Sequence, residues 1–249
     1  MNDIFRIKES TKMMAALILV LLAMWGTGLS YTNNSPQSLQ QIPDQTSYRD
    51  VSILGRGSAN SVTWSPDSNS LIVAGSLGLW LHEDNFQAVT QLVSTTEEIT
   101  LVAWSPDGNW IAGLINRDLV QIWDATDGRL ESTLQGDLSD TRSLKWNSDS
   151  NRLAIASSNQ QMRIWERATG QLALVAPETT GFVEDVSWND DGTRLVGVSY
   201  DGKLYDWDLA TNQVVTFEEI NARFSLVDWS SHFIIVANGQ NILLINSIT

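Results

Sequence analysis

Short apolar segments alternate with polar turns along most of the chain, and residues 99–134 show the pattern most clearly. The segments 99–104, 110–115, 120–123 and 130–134 are predicted strands. Ser105-Pro106-Asp107-Gly108 separates the first two, since proline fixes φ at the first central position and glycine accepts a positive φ. Strands joined by such turns indicate an antiparallel meander of four strands.

This four-strand unit repeats. Its first strand ends in a tryptophan that recurs at intervals of 40, 42, 42 and 41 residues, as Trp64, Trp104, Trp146, Trp188 and Trp229. A second landmark ends the third strand, as His82-Glu83, Trp123-Asp124, Trp165-Glu166, Trp207-Asp208 and the shortened Ile245-Asn246. A period in the low forties with only strand-like segments predicts an all-β fold, a β-propeller of about five four-stranded blades.

The predicted blades span about 60–98, 99–140, 141–182, 183–222 and 223–249. The last unit ends just after its third strand, and residues 49–54 are predicted to supply the fourth and so close the ring. The alternative is an open arc of five units. Strands such as 153–155 and 162–165 are apolar on both faces, so neighbouring blades must cover them, and the recurring tryptophans are expected to pack between blades.

The amino terminus carries a separate signal. Three basic residues precede thirteen uninterrupted apolar residues, 13–25, and small and polar residues follow to position 30. Residues 1–30 are therefore predicted to be a signal peptide or a membrane anchor, and residues 31–48 a flexible linker. The basic residues lie before the apolar segment, which predicts an extracytoplasmic domain, secreted or anchored to the membrane by residues 13–30.

Composition narrows the function. The net charge of −14 argues against nucleic-acid partners and anionic lipid surfaces, so contact with a membrane is expected only through an uncleaved amino-terminal segment. Cysteine is absent, which excludes disulfides and thiolate chemistry. No phosphate loop, dinucleotide fingerprint, zinc motif or calcium loop occurs, and neither a cofactor nor a metal is expected.

Four segments resemble the WD-repeat family: WSPDG at 104–108, VQIWDATDGRL at 120–130, MRIWERATGQL at 162–172 and LYDWDLATNQV at 204–214. The resemblance covers about residues 49–249, and residues 53–82 are similar to the first blade of exported bacterial members. It implies a non-enzymatic scaffold for protein–protein interaction. The Gly-His pair that precedes the first strand in this family appears only as Gly55-Arg56 and Gly136-Asp137. The hydrogen-bonded tetrad that the family builds on that histidine therefore cannot form. The acidic residue of that tetrad lies in the turn before the third strand, where Asp201 matches the family pattern and Asn159 is a substitute.

A catalytic interpretation has few candidate residues. His82 falls in a predicted strand and is expected to be packed, while His232 falls in a turn and is expected to be exposed. Residues 74–78 imitate a nucleophile elbow but lack its strand-to-helix context. The alternative function is a small extracytoplasmic hydrolase or carbohydrate-binding propeller with carboxylates in a central pocket. The acids to check for that alternative are Glu184, Asp185, Asp206 and Asp228.

The two predicted faces differ in chemistry. The lower face, formed by the turns within each hairpin, collects the acids Asp67, Glu83, Asp84, Asp107, Asp124, Asp127, Asp149, Glu166, Asp190, Asp191 and Asp208. Turn geometry alone favours aspartate at most of these positions. The upper face, formed by the loops between second and third strands and between blades, varies from unit to unit, which is typical of recognition surfaces. The predicted partner-binding residues there are Arg56, Arg117, Arg142, Tyr200 and Arg223.

Overall fold

The computed structural model describes residues 57–83, 88–159, 161–177, 179, 181–217, 223–238 and 241–246. All of them lie in one compact unit, Ser52–Thr249. This part of the chain contains nineteen strands and no helix. The predicted export segment, linker and closing strand, residues 1–54, lie outside the described residues.

The strands form five antiparallel sheets, each a meander in chain order. Sheet 1 contains β1 (Ala59–Trp64), β2 (Leu71–Gly75), β3 (Gly78–Glu83) and β4 (Ala88–Val93). Sheet 2 contains β5 (Ile99–Trp104), β6 (Trp110–Ile115), β7 (Leu119–Asp124) and β8 (Leu130–Thr133). Sheet 3 contains β9 (Thr141–Trp146), β10 (Arg152–Ser157), β11 (Gln161–Glu166) and β12 (Leu172–Val175). Sheet 4 contains β13 (Val183–Trp188), β14 (Arg194–Ser199), β15 (Leu204–Asp208) and β16 (Gln213–Phe217). Sheet 5 contains β17 (Leu226–Ser230), β18 (Phe233–Ala237) and β19 (Ile242–Asn246).

The predicted all-β fold of about five blades is confirmed. In sheet 2 the observed strands differ from the predicted ones by at most one residue at either end. Sheet 5 has three strands among the described residues. Ring closure by residues 49–54 stays a prediction.

The sheets stack in chain order through their first strands, because β1 contacts β5, β5 contacts β9, β9 contacts β13 and β13 contacts β17. One apolar cluster fills each of the four spaces between successive sheets. Six of the ten tryptophans after Trp25 are buried: Trp123, Trp146, Trp165, Trp188, Trp207 and Trp229. Trp64 differs, with 43% of its surface exposed on the face of sheet 1 that points away from sheet 2.

Indole hydrogen bonds repeat between sheets. Trp146 Nε1 donates to the carbonyl of Ala103 at 3.1 Å, and Trp188 Nε1 donates to the carbonyl of Lys145 at 2.9 Å. Each acceptor lies one residue before the landmark tryptophan of the preceding sheet. The tryptophan repeat therefore fixes the register of one sheet on the next as well as filling space between them.

No helix in the part of the chain that the structure describes is long and apolar enough to cross a membrane.

Candidate functional site on the upper face

Tyr200 lies on the upper face, in the turn that follows β14. Its backbone N–H donates to the carbonyl of Phe182 at 3.0 Å, one step beyond the ladder pair Val183 and Ser199. This backbone hydrogen bond makes Phe182 and Tyr200 neighbours where β13 begins and β14 ends. Phe182 is 51% exposed and Tyr200 is 47% exposed.

Arg223, in the segment that leads into sheet 5, completes this group. Its guanidinium carbon lies 4.4 Å from the centre of the Tyr200 ring, and Nη1 donates to the Tyr200 hydroxyl. This geometry combines a cation–π contact with a hydrogen bond and fixes the orientation of the guanidinium. Within the described residues no carboxylate lies in ion-pair distance of Arg223. Arg223 is exposed.

The structure thus brings together two of the five predicted partner-binding residues and adds Phe182, which the sequence analysis missed. Phe182 follows Gly181 in a connecting segment, and no periodic pattern marks its side chain as exposed. The remaining three predicted residues are placed differently. Arg117 is exposed in the β6–β7 turn with a φ of 69°, and exposed Arg142 donates from Nε to Ser158 Oγ at 2.6 Å. Arg56 lies outside the described residues.

Asp185, one of the four acids considered for a catalytic pocket, links three sheets through hydrogen bonds. It is buried, with 6% of its surface exposed. Oδ1 accepts the Ser143 hydroxyl of sheet 3 at 2.5 Å, and Oδ2 accepts the Val227 N–H of sheet 5 at 3.0 Å. The Val186 N–H also donates to Oδ1 at 3.0 Å. These contacts give the carboxylate a structural role.

Asp206 is paired with Arg194 on the neighbouring strand, and Arg194 Nε donates to its Oδ1 at 3.1 Å. Burial raises the pKa of Asp206, and the adjacent guanidinium only partly offsets that rise. Asp228 is exposed and accepts the Ser187 hydroxyl at 3.2 Å, and Glu184 is half-buried. No hydrogen bond joins two of these four carboxylates in the described structure, and no group of three or more His, Asp or Glu side chains there is arranged to hold a metal.

The lower-face aspartates are tied to their own turns. In sheet 1, Asp67 Oδ1 accepts the Ser65 hydroxyl at 2.5 Å and the Asn69 N–H at 3.1 Å. These hydrogen bonds hold the pKa of Asp67 below its usual value. Asp107 makes the same contacts in sheet 2, with Ser105 and Asn109. In sheet 4, Asp191 accepts both the N–H and the hydroxyl of Thr193. Turn chemistry therefore accounts for Asp67, Asp107 and Asp191. Asp84 lies outside the described residues.

The histidines and the polar positions near the tetrad are also placed. His82 is 1% exposed, neither ring nitrogen has a hydrogen-bond partner among the described residues, and desolvation lowers its pKa. His232 is exposed in the β17–β18 turn. The Ser199 hydroxyl donates to Asp201 and the Ser157 hydroxyl donates to Asn159, so each of these two side chains is bonded to a serine two residues before it.

Comparison with known proteins agrees with this architecture. Residues 128–166 and 172–208 match the family model described as "WD domain, G-beta repeat". No curated protein matches the chain. The fold is similar to that of a chain in the "Crystal Structure of Mitotic Checkpoint Complex", with a TM-score of 0.67 and 19% sequence identity. That similarity covers 89% of this chain and 72% of the solved one, and at this level of identity it shows the fold alone.

The stacked four-stranded meanders define the class as an all-β propeller. Two stretches of the chain, in sheets 2 to 4, match the WD-repeat model, and the fold as a whole is similar to that of the solved structure.

Proposed function

We propose that this chain is a non-enzymatic scaffold that binds another protein through its upper face. WD-repeat propellers are generally protein-interaction scaffolds, and the solved structure with the similar fold is part of a protein complex. The observation that carries the proposal is the exposed group of Phe182, Tyr200 and Arg223. Tyrosine and arginine are enriched among residues that dominate binding energy, and a guanidinium already held on an aromatic ring loses little freedom on binding.

The test is affinity capture with three forms of the chain, read by quantitative mass spectrometry. The wild type, the double variant Tyr200→Ala/Arg223→Ala and the lower-face control Asp190→Asn are compared. We expect one or more proteins to be retained by the wild type and the control, and to be lost from the double variant. Equal retention by all three forms would contradict binding through this group.

We further propose that the propeller works outside the cytoplasm, exported by residues 1–30. The support is the sequence pattern of three basic residues followed by thirteen apolar ones. A fusion to alkaline phosphatase, which is active only after export, tests this in a bacterial host. We expect activity from a fusion after residue 48 and none when residues 1–30 are deleted. Activity without residues 1–30, or none with them, would refute the proposal.

A further inference from the structure

Equivalent positions in the five sheets reveal an uncovered apolar face at the end of the stack. The second landmark begins at His82, Trp123, Trp165, Trp207 and Ile245 in sheets 1 to 5. The side chains one and three residues before it point toward the following sheet. In sheets 1 to 4 they are at most 8% exposed: Leu79, Leu81, Val120, Ile122, Met162, Ile164, Leu204 and Asp206. In sheet 5 the same two positions are Ile242 and Leu244, which are 71% and 61% exposed.

The face at the other end of the stack is also exposed. The position two residues before the landmark tryptophan points toward the preceding sheet, and in sheets 2 to 5 it is at most 9% exposed: Val102, Leu144, Val186 and Val227. In sheet 1 it is Val62, which is 45% exposed. Sheet 1 therefore presents the surface that a preceding sheet covers elsewhere in the stack.

The exposed faces of sheet 5 and sheet 1 are the two kinds of face that pack together inside the stack. Each of the four interfaces inside the stack joins a forward face like that of sheet 5 to a rear face like that of sheet 1, and each encloses an apolar cluster. Buried side chains of this type stabilise the contacts that they form, and large exposed apolar patches mark interaction surfaces.

We propose that the end face of sheet 5 packs against the rear face of sheet 1 in a second copy of the chain. We infer that the partner is a second copy because sheet 1 of this same chain carries the rear face that matches the end face of sheet 5. Such a contact joins two different surfaces, so association runs head to tail and produces a ring or an open chain of copies. The inference is independent of the proposed upper-face function, because it uses neither Tyr200 nor Arg223.

The experiment blocks one end at a time in the full chain. Ile242→Lys/Leu244→Lys blocks the sheet 5 end and Val62→Lys blocks the sheet 1 end. All three side chains are exposed, so the variants should keep the wild-type melting temperature. Leu130→Lys, at an exposed position on β8 away from both ends, is the matched control. Analytical ultracentrifugation measures the oligomeric state over a range of concentrations.

We expect the wild type and the Leu130→Lys control to associate as concentration rises, and each end-blocked variant alone to be monomeric. Because each blocked variant keeps the end that the other lacks, mixing them should give a one-to-one dimer that goes no further. A wild type that stays monomeric, as it would if sheets 1 and 5 of one molecule covered each other, overturns the proposal. Blocked variants that still self-associate, or a mixture that stays monomeric, overturn it equally.

Discussion

Asp185→Asn tests whether the buried carboxylate is a structural link between sheets 3, 4 and 5. Asparagine keeps the shape of the side chain but replaces one acceptor oxygen by an NH₂ group. The carboxylate accepts three hydrogen bonds, from the Ser143 hydroxyl and from the N–H groups of Val186 and Val227. The variant leaves one of these donors, in a buried position, facing another donor.

The expected loss follows from the number of bonds. A hydrogen bond to a charged acceptor contributes about 1.5–3 kcal/mol, and the two bonds that survive lose their charge assistance. We expect the free energy of unfolding to fall by about 2–4 kcal/mol, against a total of about 5–15 kcal/mol for an ordinary domain. With a urea dependence of about 2 kcal/mol per molar, the middle of the usual range, the unfolding midpoint should fall by about 1–2 M.

Urea unfolding followed by tryptophan fluorescence provides the measurement. The matched control is Asp228→Asn, because Asp228 is exposed and accepts a single hydrogen bond of 3.2 Å. Its effect should stay within about 0.5 kcal/mol, as is usual for surface substitutions. If Asp185→Asn unfolds at the wild-type urea concentration, the three-sheet link does not stabilise the fold and Asp185 becomes available for another role.

Two further predictions concern the hairpin turns and pH. Gly128→Ala should lower the melting temperature clearly more than Gly108→Ala. Both glycines have a positive φ, but a Cβ on Gly128 would lie 2.1 Å from the Leu92 carbonyl oxygen, whereas a Cβ on Gly108 would meet open space. Equal effects of the two substitutions would refute the packing argument. Arg194→Met should raise the pKa of Asp206 further, since the guanidinium now lowers it. When the pKa of Asp206 is raised in the folded state, folding is favoured while this carboxyl is protonated, so the variant should lose more stability than the wild type as pH rises from about 4 to 7. Carboxyl-carbon NMR of Asp206 and urea midpoints measured across this pH range check the prediction. An unchanged Asp206 titration would contradict it.

The repeat made the strands predictable. In residues 99–134, turn residues and apolar alternation set the strand ends almost to the residue, because proline, glycine and aspartate define the turns locally. The burial of landmark tryptophans followed from the need to cover both faces of each sheet. Trp64 departs from that expectation because sheet 1 has no preceding sheet among the described residues, and a periodic sequence does not mark where the stack ends.

The site was less predictable, since it depends on contacts between distant residues. Tyr200 and Arg223 were selected for residue type and loop position, yet their stacking joins two connecting segments whose residues lie 23 positions apart. Asp185 was considered as a catalytic acid because its sequence position does not reveal its donors, Ser143 and Val227, which lie 42 residues to either side. That spacing equals one repeat, and it is the signal that could have indicated a link between sheets.

Site-specific photo-crosslinking tests the upper-face scaffold most directly. A photoreactive phenylalanine analogue replaces Phe182 on the upper face or, as a control, Leu130, which is similarly exposed on β8. After irradiation in the cells that make the protein, we expect a discrete crosslinked partner at position 182, absent at position 130 and lost when Arg223 is also changed to alanine. No adduct at position 182, or one that also forms at position 130 and survives Arg223→Ala, would contradict recognition through this face.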